Sequence, residues 1–149
     1  THGVGICMEN AKVALFDVAL KGCDYTALHV QSDDSFDGST VVATRCEFSN
    51  NDSGAGLYGS VTSATFNNCV FNDNSGDGIF CNVSTVHLHG EATAIHSNGR
   101  NGIFALGSNA KVLIHLPSHH NTSYNNTRED RHTREGGTIT NVEGEEEDN

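Results

Sequence analysis

The stretch CEFSNND, residues 46–52, decides the fold, because its pattern returns 23 positions later as CVFNDNS, residues 69–75. In both copies a phenylalanine lies two positions after a cysteine and precedes a turn rich in Asn and Asp. A repeat of this length is typical of a solenoid, in which each copy forms one coil that stacks on the next. These two stretches therefore predict a coiled, repetitive chain.

The repeat continues on both sides of these copies in two registers. The first places a small residue before an aliphatic one, at Ile6, Leu28, Leu57, Ile79 and Ile103. The second places an apolar residue before a polar turn, at Leu20, Phe48, Phe71 and Ile95. Intervals within each register are 22 to 24 residues, except for one interval of 28 or 29 residues. We attribute the longer interval to a polar insertion at residues 32–40.

Short runs such as Ser63–Phe66 and Val86–His89 have the composition of extended chain and are separated by Gly, Asn, Asp and Ser. No stretch has a sustained helical stripe. Strands this short are unstable alone, so stability must come from stacking coils at the strand spacing of about 4.8 Å. We expect an all-β fold, a single-stranded parallel β-helix of about five coils over residues 1–116.

This pattern of an Asn-rich turn, a Gly-Ile or Gly-Leu pair and a short strand resembles the right-handed parallel β-helix repeat of pectin-lyase-like proteins. The resemblance covers residues 3–116. More loosely, residues 119–126 and 136–139 are similar to the ends of uncharacterised repeat proteins of unicellular algae. The resemblance implies a right-handed solenoid, but this scaffold hosts lyases, hydrolases, epimerases, adhesins and recognition surfaces, so it implies no single activity.

The two ends of the chain carry different expectations. Residues 117–142 are predicted to form a capping or irregular segment, since Pro117 interrupts a strand ladder and Arg128–Arg131 are too charged for a core. Residues 143–149 are predicted to be an acidic disordered tail. Thr1–Gly5 offers no obvious cap, so we expect either upstream coils or end-to-end self-association.

The charge balance excludes one class of partner. The chain has 8 Lys and Arg residues against 19 Asp and Glu residues, for a formal net charge of −11. A surface that follows nucleic acid needs clustered basic residues, so we expect no nucleic-acid partner. No apolar stretch approaches the roughly 20 residues that span a bilayer, so we also expect no membrane span.

The five cysteines and the glycosylation sequons point to different compartments. An odd number of cysteines without a CxxC pair favours reduced core thiols, and Cys46 and Cys69 should stack one coil apart. Four sequons would accept glycans in a secreted chain, at Asn51, Asn82, Asn121 and Asn125. The localisation is left open by these two patterns.

Histidines are numerous in the second half of the chain. His87 and His89 share one face of a strand because side chains alternate with period two, and His115 lies near the equivalent place one coil later. His119 and His120 follow directly. A zinc or copper site of imidazoles alone is one interpretation. Without a carboxylate or thiol at a known ligand spacing, exposed or hydrogen-bonded histidines are the favoured one.

Candidate catalytic residues are Asp52, Asp73 and Asp77, which lie in neighbouring turns. Glycoside hydrolysis needs paired carboxylates, one as the acid and one as the base or nucleophile. However, the Asn-Thr-Asp, Gly-His-Gly and Arg-Ile-Lys motifs of pectin-degrading hydrolases are absent from the sequence. The three aspartates therefore belong to the alternative, enzymatic interpretation only.

One metal candidate lies in the insertion. Asp33, Ser35 and Asp37 alternate before Gly38, as oxygen ligands precede the turn glycine of a calcium loop. The twelfth position is Thr44 where a closing glutamate is needed. Calcium is the ion that these residues would hold, and no other cofactor is expected.

The sequence as a whole favours a non-catalytic recognition or structural module of a larger protein. Repeated coils make long, regular surfaces, which suit a glycan or protein partner. The alternative is a carbohydrate-active enzyme, a lyase, hydrolase or epimerase that acts on a uronate-containing polysaccharide.

Overall fold

The computed structural model describes residues 3–34, 37–115 and 122–143. These residues form short strands joined by turns, and none of them forms a helix. The strands are β1 (Ile6–Glu9), β2 (Lys12–Phe16), β3 (Ala19–Lys21), β4 (Thr26–Gln31), β5 (Ser39–Thr44), β6 (Glu47–Ser49), β7 (Ser53–Tyr58), β8 (Thr62–Asn67), β9 (Val70–Asn72), β10 (Ile79–Asn82), β11 (Thr85–His89), β12 (Ala94–His96), β13 (Ile103–Leu106), β14 (Lys111–His115), β15 (Ser123–Tyr124), β16 (Arg131–Arg134) and β17 (Thr138–Val142).

The strands form three sheets in which every pairing is parallel. Sheet A has the order β1-β4-β7-β10-β13-β16, sheet B has β2-β5-β8-β11-β14-β17, and sheet C has β3-β6-β9-β12-β15. Each coil thus gives one strand to each sheet before the chain rises to the next layer. The predicted fold, a right-handed parallel β-helix of about five coils, is confirmed.

The second sequence register is confirmed in sheet C. Leu20 pairs with Phe48, Phe48 with Phe71, and Phe71 with Ile95. The rings of Phe48 and Phe71 stack with their centroids 4.7 Å apart and their planes 12° apart. Residues 46–52 and 69–75 therefore lie one above the other, as their repeat predicts.

The first sequence register is wrong at one position. Ala55 stands between Leu28 and Ile79 in sheet A, whereas Leu57 pairs with Val30 and Cys81. The displacement is two residues, and side chains alternate with period two along a strand. Leu57 is therefore still buried in the core, which is why the sequence pattern did not reveal the shift.

The core is a narrow column along the axis of the solenoid. Phe48, Phe66 and Phe71 are fully buried, and the Phe66 ring meets both of the others edge to face. Smaller side chains fill the remaining layers. Every second residue of β8 and β11 is buried, so each of these strands contributes one row of side chains to the core. Of the insertion at residues 32–40, the described residues 32–34, 37 and 38 lie between β4 and β5.

A row of asparagines runs through the turns between sheets C and A. The Asn74 amide Nδ2 donates to Asn98 Oδ1 at 2.9 Å and to the Phe48 carbonyl at 3.1 Å. Asn98 repeats this pattern one coil on, donating to Asn126 Oδ1 at 2.9 Å. Each buried amide thus satisfies backbone groups of the coil before it, which links successive turns.

The last described coil carries polar residues at positions that are apolar elsewhere. Arg131 occupies the register position of Ile103, and Thr133 that of Ala105. Both lie at the end of the described stack, where a polar side chain can still reach solvent. The predicted boundary at residue 116, Pro117 and the acidic tail beyond Glu143 lie outside the described residues.

Candidate functional site

The outer face of sheet A carries a row of ring side chains, one from each of five consecutive coils. Neighbouring ring centroids along the row are 4.7, 5.6, 5.2 and 4.8 Å apart. The rings are those of His29, Tyr58, Phe80, Phe104 and His132. They follow from the period-two alternation, which turns these positions outward while their neighbours fill the core.

Gly56 allows the row to be continuous. It pairs with both His29 and Phe80, so it occupies the place where a ring is expected, but it has no side chain. The ring of Tyr58, two residues later, covers it instead. A Cβ at Gly56 would lie only 2.9 Å from Tyr58 Cε2, closer than such atoms normally approach.

A groove runs beside the ring row, with a cavity volume of about 320 Å³. Its charged lining residues are Asp77, Arg100, Arg128 and Arg134, and His132 also lines it. Arg100 lies in the turn before β13 and Arg128 in the turn before β16. They belong to successive coils, because the backbone N–H of Arg128 donates to the carbonyl of Arg100 at 2.9 Å. With three arginines against one carboxylate, the groove lining is positively charged within a protein of strongly negative net charge.

The polar groups of the groove have defined partners. Asp77 Oδ1 accepts a hydrogen bond from the backbone N–H of Asn101 at 3.0 Å. Burial raises the pKa of Tyr58, and the charge of Asp77 raises it further. Tyr58 is therefore a neutral phenol at physiological pH, able to donate and to accept a hydrogen bond. At the rim, His132 Nδ1 lies 2.9 Å from Glu129 Oε2.

The three candidate catalytic aspartates line two different concavities. Asp52 and Asp73 line one together with Asp24, and Ser75 Oγ donates to Asp52 Oδ1 at 3.3 Å. Asp77 lines the groove on sheet A. A catalytic role for these residues stays a prediction, and the geometry does not bring all three to one site.

The calcium candidate lies partly outside the described residues, because Ser35 is among those left out. Asp33 and Asp37 are exposed, and the backbone N–H of Asp33 donates to Asn10 Oδ1 at 3.0 Å. Calcium binding by Asp33, Ser35 and Asp37 stays a prediction.

Three histidines converge on the outer face of sheet B. His87 Nδ1 lies 2.8 Å from His115 Nε2, and the rings of His89 and His115 stack 4.1 Å apart. One nitrogen from each ring lies within 4.8 Å of the other two. Of the described residues, these three are the group placed to hold a metal ion; His119 and His120 lie outside the described part.

The cysteines are free thiols, as the sequence predicts. Cys46, Cys69 and Cys81 are buried. Burial raises the pKa of both Cys69 and Cys81 to about 11. These groups are therefore packing residues, because a catalytic thiol needs a low pKa and access to solvent.

Sequence reasoning missed the groove, although part of its signal is visible. The residue after the aliphatic member of the first register is Tyr58, Phe80 or Phe104 in three successive copies. A ring that recurs at an outward position indicates a surface stack. The arginines give no such signal, because Arg128 and Arg134 lie in residues 117–142, where the sequence repeat was not traced.

Comparison with known families agrees with the fold. A family model described as the right handed beta helix region matches residues 1–141, so the chain belongs to this family. No curated protein matches the chain, and no solved structure does. The narrower resemblance to pectin-lyase-like and algal repeat proteins stays a prediction. The described part of the chain contains no helix with the length and apolar character needed to cross a bilayer.

Proposed function

We propose that this protein is a non-catalytic recognition module that binds an acidic glycan along the groove of sheet A. The observation that carries the proposal is the continuous ring row beside Arg100, Arg128 and Arg134. A uronate sugar has an apolar C–H face and a carboxylate, and the rings and guanidinium groups side by side match these two parts.

The rings supply the apolar half of the site. The C–H faces of a pyranose carry partial positive charge and pack on the negative face of an aromatic ring, while its hydroxyls stay hydrated at the edge. Phe80 and Phe104 lie at the middle of the row and both line the groove. Five rings at one strand spacing each extend over about 19 Å, which suits an oligosaccharide better than a single sugar.

The arginines supply the polar half. A guanidinium binds a carboxylate or sulfate through two parallel hydrogen bonds, and it stays charged at every physiological pH. Arg100 and Arg128 come from successive coils, so they can meet successive acidic groups of an extended chain. The positive groove within an acidic protein favours an anionic ligand over a neutral one.

The groove favours binding over hydrolysis. Asp77 is the one carboxylate among the lining residues, whereas hydrolysis requires two that flank the scissile bond. An arginine is a poor general base because its pKa is too high. A carbohydrate-active enzyme is therefore the second candidate, supported by the presence of Asp77 in the same groove as Tyr58.

The test is a calorimetric titration with a linear oligouronate, using its carboxyl-reduced neutral counterpart as the matched ligand. We expect binding of the uronate that weakens with salt, and Arg128→Gln and Phe80→Ala should each lower its affinity about tenfold. Arg45→Gln and Phe16→Ala are the matched controls. Both residues are exposed, and neither lines the groove.

Four results would overturn the proposal. The first is the absence of uronate binding, and the second is an affinity that the groove variants leave unchanged. The third is the appearance of unsaturated products or reducing ends on incubation with uronate polysaccharide, lost in Asp77→Ala, which would establish the enzymatic alternative. A protein pulled down through the same groove in place of a glycan would also contradict it.

A further inference from the structure

A rigid framework holds the histidine cluster of sheet B. His87 and His89 lie on β11 at outward positions, and β11 pairs with both β8 and β14 through continuous parallel ladders. His115 ends β14, and the register of β11 with β14 places it beside His89. The Cα positions of the three histidines are thus held by the strand pairing, so coordination depends on the side-chain rotamers.

We propose that His87, His89 and His115 form a surface site for zinc. Three imidazoles with an open fourth position are a ligand set that zinc accepts in proteins, and the fourth position is then taken by water or by a ligand carboxylate. Because the d shell of zinc is full, its d electrons favour no particular coordination geometry. Zinc therefore tolerates ligand directions that are set by the strands. The site lies on sheet B and is separate from the glycan groove on sheet A.

The distances are compatible with coordination after small side-chain movements. Zinc–nitrogen bonds of about 2.0–2.1 Å place the nitrogens of a tetrahedral site about 3.3 Å apart. The present nitrogens range from 2.8 Å, between His87 and His115, up to 4.8 Å. The stacked rings of His89 and His115 must rotate about their side-chain bonds so that their lone pairs converge on one point.

The protonation state of the cluster also suits a metal. The 2.8 Å contact between His87 Nδ1 and His115 Nε2 is a hydrogen bond, so the ring that donates it must release that proton to offer a lone pair to a metal instead. Burial and the neighbouring histidines lower the pKa of His87 and of His89. Unprotonated imidazole is the form that binds metal.

The outward residues of the flanking strands beside the cluster are uncharged: Thr65 and Asn67 on β8, and Thr140 and Val142 on β17. Lys111 also faces outward on β14, but it lies at the opposite end of that strand from His115. The three rings therefore supply the ligands themselves, without a competing carboxylate among these neighbours.

Zinc titration of the metal-depleted protein, residues 1–149, tests the proposal. We expect one zinc ion per chain and, at a hundredfold excess over Kd, a rise in Tm of roughly 5–10 °C. X-ray absorption should show imidazole nitrogens about 2.0–2.1 Å from the metal. His89→Gln and His115→Gln should each weaken binding by about tenfold or more, since even the loss of a residue that only hydrogen-bonds a ligand has an effect of this size.

Matched variants exclude adventitious binding. His96→Gln alters a histidine of sheet C, and the double variant His119→Gln/His120→Gln removes the adjacent pair in the sequence. Both should bind zinc as the natural sequence does. Binding that survives His89→Gln, or that disappears only with His119 and His120, would overturn the proposal. Stoichiometric binding of copper without any binding of zinc would overturn the choice of metal.

Discussion

At the scale of single residues, Gly56 governs the position of the Tyr58 ring. The ring occupies space that any other residue at position 56 would fill, because a Cβ there would lie 2.9 Å from Tyr58 Cε2. The backbone of Gly56 does not have a positive φ, so the requirement for glycine comes from this contact and not from the conformation.

Gly56→Ala should therefore weaken oligouronate binding, by about tenfold, with little effect on stability. The Tyr58 ring must move away from its neighbours, and the row is then interrupted at its second ring. A double-mutant cycle with Tyr58→Ala checks this cause, since Gly56→Ala should have little further effect once the ring is gone. Additive losses in affinity would contradict it.

The cysteines differ in reactivity at the same scale. A pKa of about 11 for Cys69 and Cys81, against a usual value of 9.0, leaves about a hundredfold less thiolate at pH 8. Alkylation of the native protein followed by mass spectrometry should label the exposed Cys7 first and leave Cys69 and Cys81 unmodified until urea unfolds the chain. Early labelling of either buried thiol would show that the core opens.

At the scale of elements, the turns between sheets C and A repeat one device. A residue with positive φ precedes each asparagine of the row described above, for example Asp73 before Asn74 and Ser97 before Asn98. The chain passes here from sheet C to sheet A, and the asparagine donates a hydrogen bond to a carbonyl of the coil before it. In the first coil Cys23 takes the asparagine position, and its backbone N–H donates to Asn51 Oδ1 at 2.9 Å.

Asn74→Ala should destabilise the protein by about 2–4 kcal/mol, because it leaves the Phe48 carbonyl and the Asn51 N–H without their partner in a buried place. Urea unfolding followed by circular dichroism gives the free energy of unfolding. Asn74→Asp keeps the size and the acceptor but loses the amide donor, so it should also destabilise. A change below about 1 kcal/mol would mean that water replaces the amide.

At the scale of the whole molecule, the fold could be predicted from the sequence because stacking repeats the same residue types at one interval. Phe48 above Phe71 is the plainest case, and the insertion at residues 32–40 was visible as the interval that is too long. The shift of Leu57 by two residues was not visible, because both registers bury it.

The candidate sites were harder to predict, because they depend on contacts between coils of unequal length. The sequence placed His87, His89 and His115 in neighbouring coils, but only the register and the rotamers give the 2.8 Å contact. Arg100 and Arg128 are separated by a longer coil than Ile79 and Ile103, so no fixed interval relates them. Both arginines lie in turns whose length varies between coils, and such turns leave no regular repeat in the sequence.

The last coil protects the core from solvent. Residues 122–143 lie over the layer that contains Ile103, Val112 and Ile114. Truncation after His115 should expose this layer, so we expect self-association in size-exclusion chromatography and increased binding of a hydrophobic dye. Truncation after Glu143 should leave the protein monodisperse. If the form truncated after His115 were monodisperse as well, the protective role of the last coil would be contradicted.

Because each coil gives one strand to each sheet, the length of the ring row is an adjustable quantity. Duplicating a whole 24-residue unit in frame, such as residues 76–99, would insert a further layer carrying its own copy of Phe80. The added layer would lengthen the platform by about 4.8 Å without altering any other contact type. Glycans of different length could thus be bound by forms of the protein that have gained or lost whole coils, without a redesign of the binding cleft.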